Sequence, residues 1–494
     1  MNRVQQQRLD MARSTSDAIS TIQGNRAPST LSTYTRMKKE FTDYCDQQNW
    51  ETDTLYIVDE GKLLSFLQNY VLNKRTSFGK PLAYKTIRLY TAAVTDLYKE
   101  QFAKKCNSNP NPRTGIVKSF LDSISRKVAQ DRRDNFDDLS VQTHADGISS
   151  DAQRITMHAY FLEKGNMEGL RDLFMIRSLE SMSLRGEIVR GLELSHMSSY
   201  LLSSEGTDGN QALQFIINAG KTNQHERMEF SAALRHKDYR LCTISACALY
   251  FFYRFHIDGE CFPDTSFARN WYRIKAIRNQ KDDNEKSLSY NGQYKILKTA
   301  FSKCGIATSK VTHAPRGYSV RMLELAGLGT DDLRRQGRWN VQAMEGAYLS
   351  QLPRSAMRVM AGYDKGQSTQ VIKRAVLEPP ISLEKLIFPN AEIQLQELLQ
   401  SHERVDISAK AFLEMMIFFR KIIIQDMVLL KGGYPDHELA QFPLFQSDEF
   451  RSFETRLNQE LESFADPEIT NMERFNPPLF NYLDNRFGSM EQRV

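Results

Sequence analysis

Six residues of this chain have the types and the order needed to break a phosphodiester through a tyrosine. His313 and Arg316 stand at H-x-x-R spacing, Trp339 follows Arg316 by 23 residues, and Tyr348 follows Trp339 by 9. Upstream, Arg185 closes the string Ser183-Leu-Arg185 after an apolar helical run, and Lys221 lies in Gly220-Lys221-Thr222 between two strand-like stretches. A phosphodiester repels nucleophiles, so fixed cations must neutralise its non-bridging oxygens. The planar forks of Arg185 and Arg316 would do this and stay charged at any working pH. A tyrosine with an ordinary pKa of about 10 is a weak nucleophile at neutral pH, so Tyr348 needs a base, and His313 fits that role. Lys221 would return a proton to the leaving 5′ oxygen, and the Trp339 indole N-H would donate to a phosphate oxygen. This chemistry calls for no metal and no cofactor. Singly, each residue has a plainer reading: an arginine that ends a helix, a solvated turn lysine, a core tyrosine. The joint order and spacing carry the assignment.

The elements that must position these residues read as mostly α with a small β-sheet. Residues 1–27 read as a flexible tail. Pro28-Ser-Thr30 opens a helix through Tyr34, Met37, Phe41 and Cys45, and helical periodicity recurs over 61–72, 82–102 and 114–128, giving a small helical domain over 28–128. Residues 129–150 are polar and read as a linker. A third segment, 151–364, starts with helices, passes a strand pair around 211–230 with Lys221 at its tip, and returns to helices. Thr330-Asp331-Asp332 begins a helix leading into Trp339, and Met344 to Leu349 would carry Tyr348 on the next. Trp271-Tyr272 and Phe251 to Phe255 read as core rather than as base-stacking surfaces. Residues 365–494 form an acidic helical segment whose amphipathic stretch from Ile407 to Leu430 needs a partner surface, either the preceding domain or another protomer.

A chain of 494 residues is too long for one compact core. The net charge is +5, but residues 365–494 hold 14 Lys and Arg against 20 Asp and Glu, a balance of −6, leaving +11 for residues 1–364. That excess suits phosphate-backbone binding. The six cysteines show no paired spacing and read as buried free thiols. No secretory signal or membrane span is expected, since the longest apolar stretch, 413–430, is broken by Arg420, Lys421, Gln425 and Asp426.

Several strings resemble those of the tyrosine recombinases, and more narrowly the fungal Crypton transposase group, whose relatives include the DNA-binding subunit of the budding-yeast centromere complex. They are Leu184-Arg185-Gly186, Lys221-Thr-Asn-Gln224, Leu234-Arg-His-Lys-Asp238, Tyr250-Phe-Phe-Tyr-Arg254-Phe-His256, Thr312-His-Ala-Pro-Arg-Gly317, and Gly337-Arg-Trp339 through Tyr348-Leu-Ser-Gln-Leu-Pro353. The resemblance implies a recombinase catalytic domain preceded by a helical core-binding domain and followed by a helical C-terminal domain. The core-binding domain would clamp double-stranded DNA, with Tyr84, Lys85 and Arg88 at a helix start reaching the backbone. It further implies a nuclear enzyme that forms a 3′-phosphotyrosyl bond at Tyr348 and exchanges strands through a Holliday junction, as a dimer on each site and a tetramer in the synaptic complex. The family's acidic residue three positions after the first arginine is replaced here by Ile188, with Glu187 one residue early. The alternative is a catalytically inactive architectural or centromere-type DNA-binding protein on the same fold; a type IB topoisomerase shares the cutting chemistry.

Overall fold

The computed structural model describes residues 3–136, 143, 146–206, 209–218, 220, 228–280, 283–339, 352–367, 370–400 and 405–464. The chain forms two compact units, Met1–Asp138 and Leu139–Val494.

The first unit is helical. Helix α1 (Arg3–Gly24) occupies the stretch read as a flexible tail. Its Gln, Arg, Met and Ala residues favour helix, and neither Pro nor Gly interrupts it before Gly24. Helix α2 (Pro28–Asp46) starts on a proline that needs no N-H partner, and buries Met37, Phe41, Tyr44 and Cys45 on one face. Helix α3 (Glu60–Ser65) runs on into a wider π-helical turn, Phe66–Val71, and α4 (Tyr84–Ala103) packs Ile87, Tyr90 and Val94 into the same core. Helix α5 (Gly115–Asp134) is capped by the Thr114 side chain and continues six residues past the expected domain boundary at 128.

In the second unit, α6 (Asp151–Leu162), α7 (Met167–Ser181) and α9 (Thr243–Phe252) enclose the core, and α7 is buried along almost its whole length. The short α8 (Gly186–Gly191) follows α7 after a turn. Three antiparallel strands, β1 (Met197–Leu202), β2 (Asn210–Ile217) and β3 (Glu229–Ala233), form a sheet in that order, with Tyr200 opposite Ala212 and Phe215 opposite Ser231. The sequence pattern showed only two of these strands, since Ser198-Ser-Tyr200 in β1 lacks apolar alternation. A second hairpin, β4 (Arg278–Gln280) with β5 (Asp283–Ser287), was not expected either. Beyond α10 (Ala268–Trp271) come α11 (Tyr290–Lys303), α12 (Ala314–Leu325), α13 (Thr330–Gly337) and α14 (Arg354–Met360). Phe251 and Trp271 are fully buried, as core residues. Arg254, inside the aromatic run, is buried too and closes with Arg278 on Glu260 at 2.5 Å each.

The acidic C-terminal segment belongs to this second core rather than standing as a separate domain. After α15 (Ile381–Lys385) and α16 (Pro389–Gln400), the 27-residue α17 (Ile407–Gly433) crosses β1 and α9 with Phe412, Met416, Phe419 and Ile423 fully buried. Asp426 on α17 accepts from Arg235 and Arg374, each at 2.6 Å, and from Ser245. Helices α18 (Glu438–Gln441), α19 (Pro443–Gln446) and α20 (Asp448–Ser463) finish the described chain. The linker reading of 129–150 also changes at its far end. Ile148 is buried in the second core, and Asp146 accepts from the Ser309 backbone N-H at 2.7 Å. Among the cysteines, Cys45, Cys242 and Cys247 are buried, Cys304 is half-buried, and Cys106 and Cys261 are exposed, so the expectation of buried thiols holds for only part of the set. Among the described residues, no helix is long and apolar enough to cross a membrane, and no group of His, Cys, Asp and Glu has metal-binding geometry.

Candidate functional site

Arg185 lies at the end of the turn that joins α7 to α8, in extended backbone just before the first residue of α8. The turn is tight because Ser183 takes the left-handed conformation, φ 48°. Its hydroxyl bonds to that of Ser319 on α12, which ties the Arg185 turn to the helix carrying Arg316. His313 ends a 3-10 turn (Val311–His313) and is exposed, with its Nδ1 at 3.2 Å from Thr312 Oγ1. Pro315 helps to start α12, and Arg316 sits in its first turn, buried. One Arg316 nitrogen, Nη2, donates to the Gly337 carbonyl at 2.5 Å, and the guanidinium carbon stands 4.8 Å from the centre of the Trp339 ring. Gly337 must be small there: a Cβ would come within 2.5 Å of Trp339 Cε3.

These four residues line one cavity of about 470 Å³, together with Lys310, Arg321, Thr143 and Asp146. The sequence order thus brings Arg185, His313, Arg316 and Trp339 to a single place. Lys221 and Tyr348 lie outside the described residues. Gly220, next to Lys221, is described. A Cβ built on it would lie 3.9 Å from Ile188 Cγ1 and 4.0 Å from Glu187 Oε1, so the end of that chain segment approaches α8 just beyond Arg185. Ile188 packs partly buried against the core, while Glu187 is exposed.

The cations Arg185, Lys310, Arg316 and Arg321 line the cavity together with one carboxylate, Asp146. Burial is the main cause that pushes the Arg316 guanidinium down, and the neighbouring cations Arg185 and Arg338 push in the same direction. Its Nη1 is buried and, among the described residues, has no hydrogen-bond partner. A buried donor without an acceptor, in a field of like charge, is a state that an incoming oxyanion relieves on both counts. Beneath the cavity, Tyr318 on α12 donates to Asp151 at 2.5 Å, and Arg154 packs over the Tyr318 ring at 4.9 Å. Arg154 and Arg177 both donate to the fully buried Glu180, at 3.0 and 2.6 Å. This network fixes α12 against α6 and α7, which sets where Arg316 points.

The sequence reading missed Lys310, Arg321 and Arg338. Only Arg338 carried a signal, as the middle residue of Gly337-Arg-Trp339. In the other unit, Lys85 and Arg88 are exposed on the first turns of α4, whereas Tyr84 is half-buried and packs on that unit's core.

No curated protein matches this chain in sequence. Among solved structures it is similar to one described as "Ndc10: a platform for inner kinetochore assembly in budding yeast", at 10% identity over 91% of this chain and 98% of that one, with a TM-score of 0.39. That likeness is too loose to transfer any residue's role. The family comparison reaches further. Residues 104–451, from the end of α4 into α20, match the family described as "Centromere DNA-binding protein complex CBF3 subunit, domain 2", and the chain belongs to that family.

Proposed function

We propose that this protein binds double-stranded DNA in the nucleus and holds a backbone phosphate in the cavity of Arg185, Arg316 and Trp339. The observation that carries this reading is the state of Arg316: buried, stacked on Trp339, with an Nη1 that has no partner among the described residues and two cations as charged neighbours. A phosphate oxygen supplies the missing acceptor and the missing negative charge together. The family's description as a centromere DNA-binding subunit supports the same partner. The test is fluorescence anisotropy with a labelled duplex. Arg316→Ala should weaken binding by about tenfold or more, in line with the loss of a charge-assisted contact of roughly 1.5–3 kcal/mol. Equal affinity of variant and wild type would remove the cavity from the interface.

A second reading, strand cutting, is favoured by the exposed His313 at the mouth of the same cavity. In it, the Tyr348 oxygen attacks phosphorus, the bond from phosphorus to the 5′ oxygen breaks, the tyrosine proton goes to His313, and Lys221 protonates the 5′ oxygen. The product is a 3′-phosphotyrosyl bond with a free 5′-hydroxyl, and strand exchange from it requires paired protomers on two DNA sites. A nicked suicide oligonucleotide tests it. A denaturant-resistant protein–DNA adduct that Tyr348→Phe abolishes supports cutting. Tight binding without any adduct leaves the architectural DNA-binding role alone.

A further inference from the structure

Arg338 is placed in a way that a residue filling space would not be. It follows α13 with φ 52° and ψ 48°, the left-handed conformation that residues with a Cβ rarely adopt. Its side chain is buried, and the guanidinium fans out to three acceptors. Nη1 donates to Ser231 Oγ at 2.9 Å; Nη2 donates to the carbonyls of Met182 at 3.2 Å and Ser183 at 3.0 Å. Those acceptors belong to β3 and to the turn between α7 and Arg185. Ser231 Oγ also donates to the Met182 carbonyl, at 3.3 Å. One arginine therefore bonds the chain just before Arg185 from a position next to Trp339, across 155 residues of sequence.

The turn it holds has its own strain. Ser183 is left-handed, two residues before Arg185, and the carbonyl that Arg338 engages is Ser183's own. The three-way contact also needs the arginine fork. A lysine ammonium carries a charge of the same sign but has no planar pair of nitrogens to reach a hydroxyl on one side and two carbonyls on the other. Burial chiefly, and Arg185 in addition, push Arg338 down to about 10, while Glu229 acts in the opposite direction. Of these two charges Glu229 acts the more strongly, so its attraction outweighs the repulsion from Arg185.

We propose that Arg338 is a positioning residue for the phosphate site: by fixing the Met182–Leu184 turn to β3 and to the end of α13, it aims Arg185 at the phosphate held by Arg316. This rests on the DNA-binding reading above. Arg338 acts through Arg185 and does not itself touch the phosphate, so the two residues' contributions to binding are coupled rather than independent.

A double-mutant cycle on duplex binding by the full chain tests this, with melting followed for each variant. Arg185→Ala and Arg338→Met should each weaken binding by about tenfold, and the double variant should bind within about twofold of Arg185→Ala, because contacts made through one another are not additive. A remote control pair, Arg338→Met with Lys85→Ala, should multiply. If Arg338→Met binds as wild type does, or if its loss multiplies with that of Arg185→Ala, Arg338 does not act through Arg185 and the proposal falls. Should Arg338→Met fail to melt cooperatively, Arg338→Lys takes its place in the same cycle, with a smaller loss and the same non-additivity expected. A wild type that does not bind duplex DNA, or an Arg185→Ala that binds normally, overturns the underlying DNA reading instead, and the proposal goes with it.

Discussion

Two groups of buried arginines in the same unit are treated in opposite ways. Arg235 and Arg374 converge on Asp426, each at 2.6 Å, and Ser245 completes the carboxylate's shell. Around Arg316 the charged neighbours are instead the cations Arg185 and Arg338. Both groups hold buried guanidinium nitrogens with no partner among the described residues, Arg316 Nη1 in one and Arg235 Nε and Arg374 Nη2 in the other, so the contrast lies in the charges. The first group shares a buried carboxylate, so its attraction is already committed to joining α17 to the loop after β3. In the second, Arg316 faces a cavity with cations as its charged neighbours, so an arriving anion would add an attraction that the first group already has. A protein can tolerate such a cluster because the Glu180 network and the Ser183–Ser319 contact hold the surrounding helices regardless of what the cavity contains.

The contrast is sharpest in stability. Removing one partner from the compensated group leaves buried charge unpaired, so Asp426→Asn should lower unfolding free energy by about 3–5 kcal/mol, read by chemical denaturation. Arg316→Met removes a cation that has no carboxylate partner among the described residues, and should change stability by less than about 1 kcal/mol while reducing DNA binding. A large stability loss at Arg316 would erase the distinction.

Acid should act on the first group alone. Burial pushes the Asp426 carboxyl up, but Arg235 and Arg374 more than offset this, and its folded value lies below the ordinary one. A depressed carboxylate contributes stability above its unfolded value of about 3.9 and loses it as pH falls through the lower, folded value. The stability gap between wild type and Asp426→Asn should therefore persist at pH 7 and shrink below about pH 4 in denaturation series. A gap that stays constant down to pH 2 would mean that the carboxylate is not held by its arginines.

Alkali should leave both groups unchanged. Burial and the neighbouring cations push the Arg316 guanidinium down, but a guanidinium stays protonated across the working range, so duplex binding should be the same from about pH 7 to 9.

The smallest effects are expected in the other unit. Lys85 and Arg88 are exposed on α4, without the burial that strengthens Arg316. Replacing either with Ala should weaken duplex binding by about two- to threefold, irrespective of sequence, as expected for solvated phosphate contacts.

How much of this could be read from the chain depended on the range of the interactions. Helix α2 was legible because Pro28 and the spacing of Met37, Phe41 and Cys45 are local signals. His313, Arg316 and Trp339 were legible for a related reason: they lie within 27 residues, and their order is itself a pattern. Helix α17 was legible as an apolar-faced helix needing a partner surface, with the preceding domain as one of two candidates. What was not legible is that Arg420, Gln425 and Asp426, which break its apolar stretch, are themselves buried, with Gln425 and Asp426 engaging Arg235. Its true character, a helix buried nearly all round, follows from partners almost 200 residues away. The role of Arg338 was hidden in the same way, since its acceptors at 182, 183 and 231 come together only when the sheet packs on α7.

The most direct test of a phosphate at Arg316 is the salt dependence of duplex binding for wild type and Arg316→Ala, measured by anisotropy from about 50 to 300 mM salt. Each phosphate neutralised adds about 0.9 to the slope of log affinity against log salt, so Arg316→Ala should show a slope shallower by about 1 as well as a weaker affinity. Parallel lines, with the variant as tight as wild type, would contradict the assignment of a DNA phosphate to this cavity.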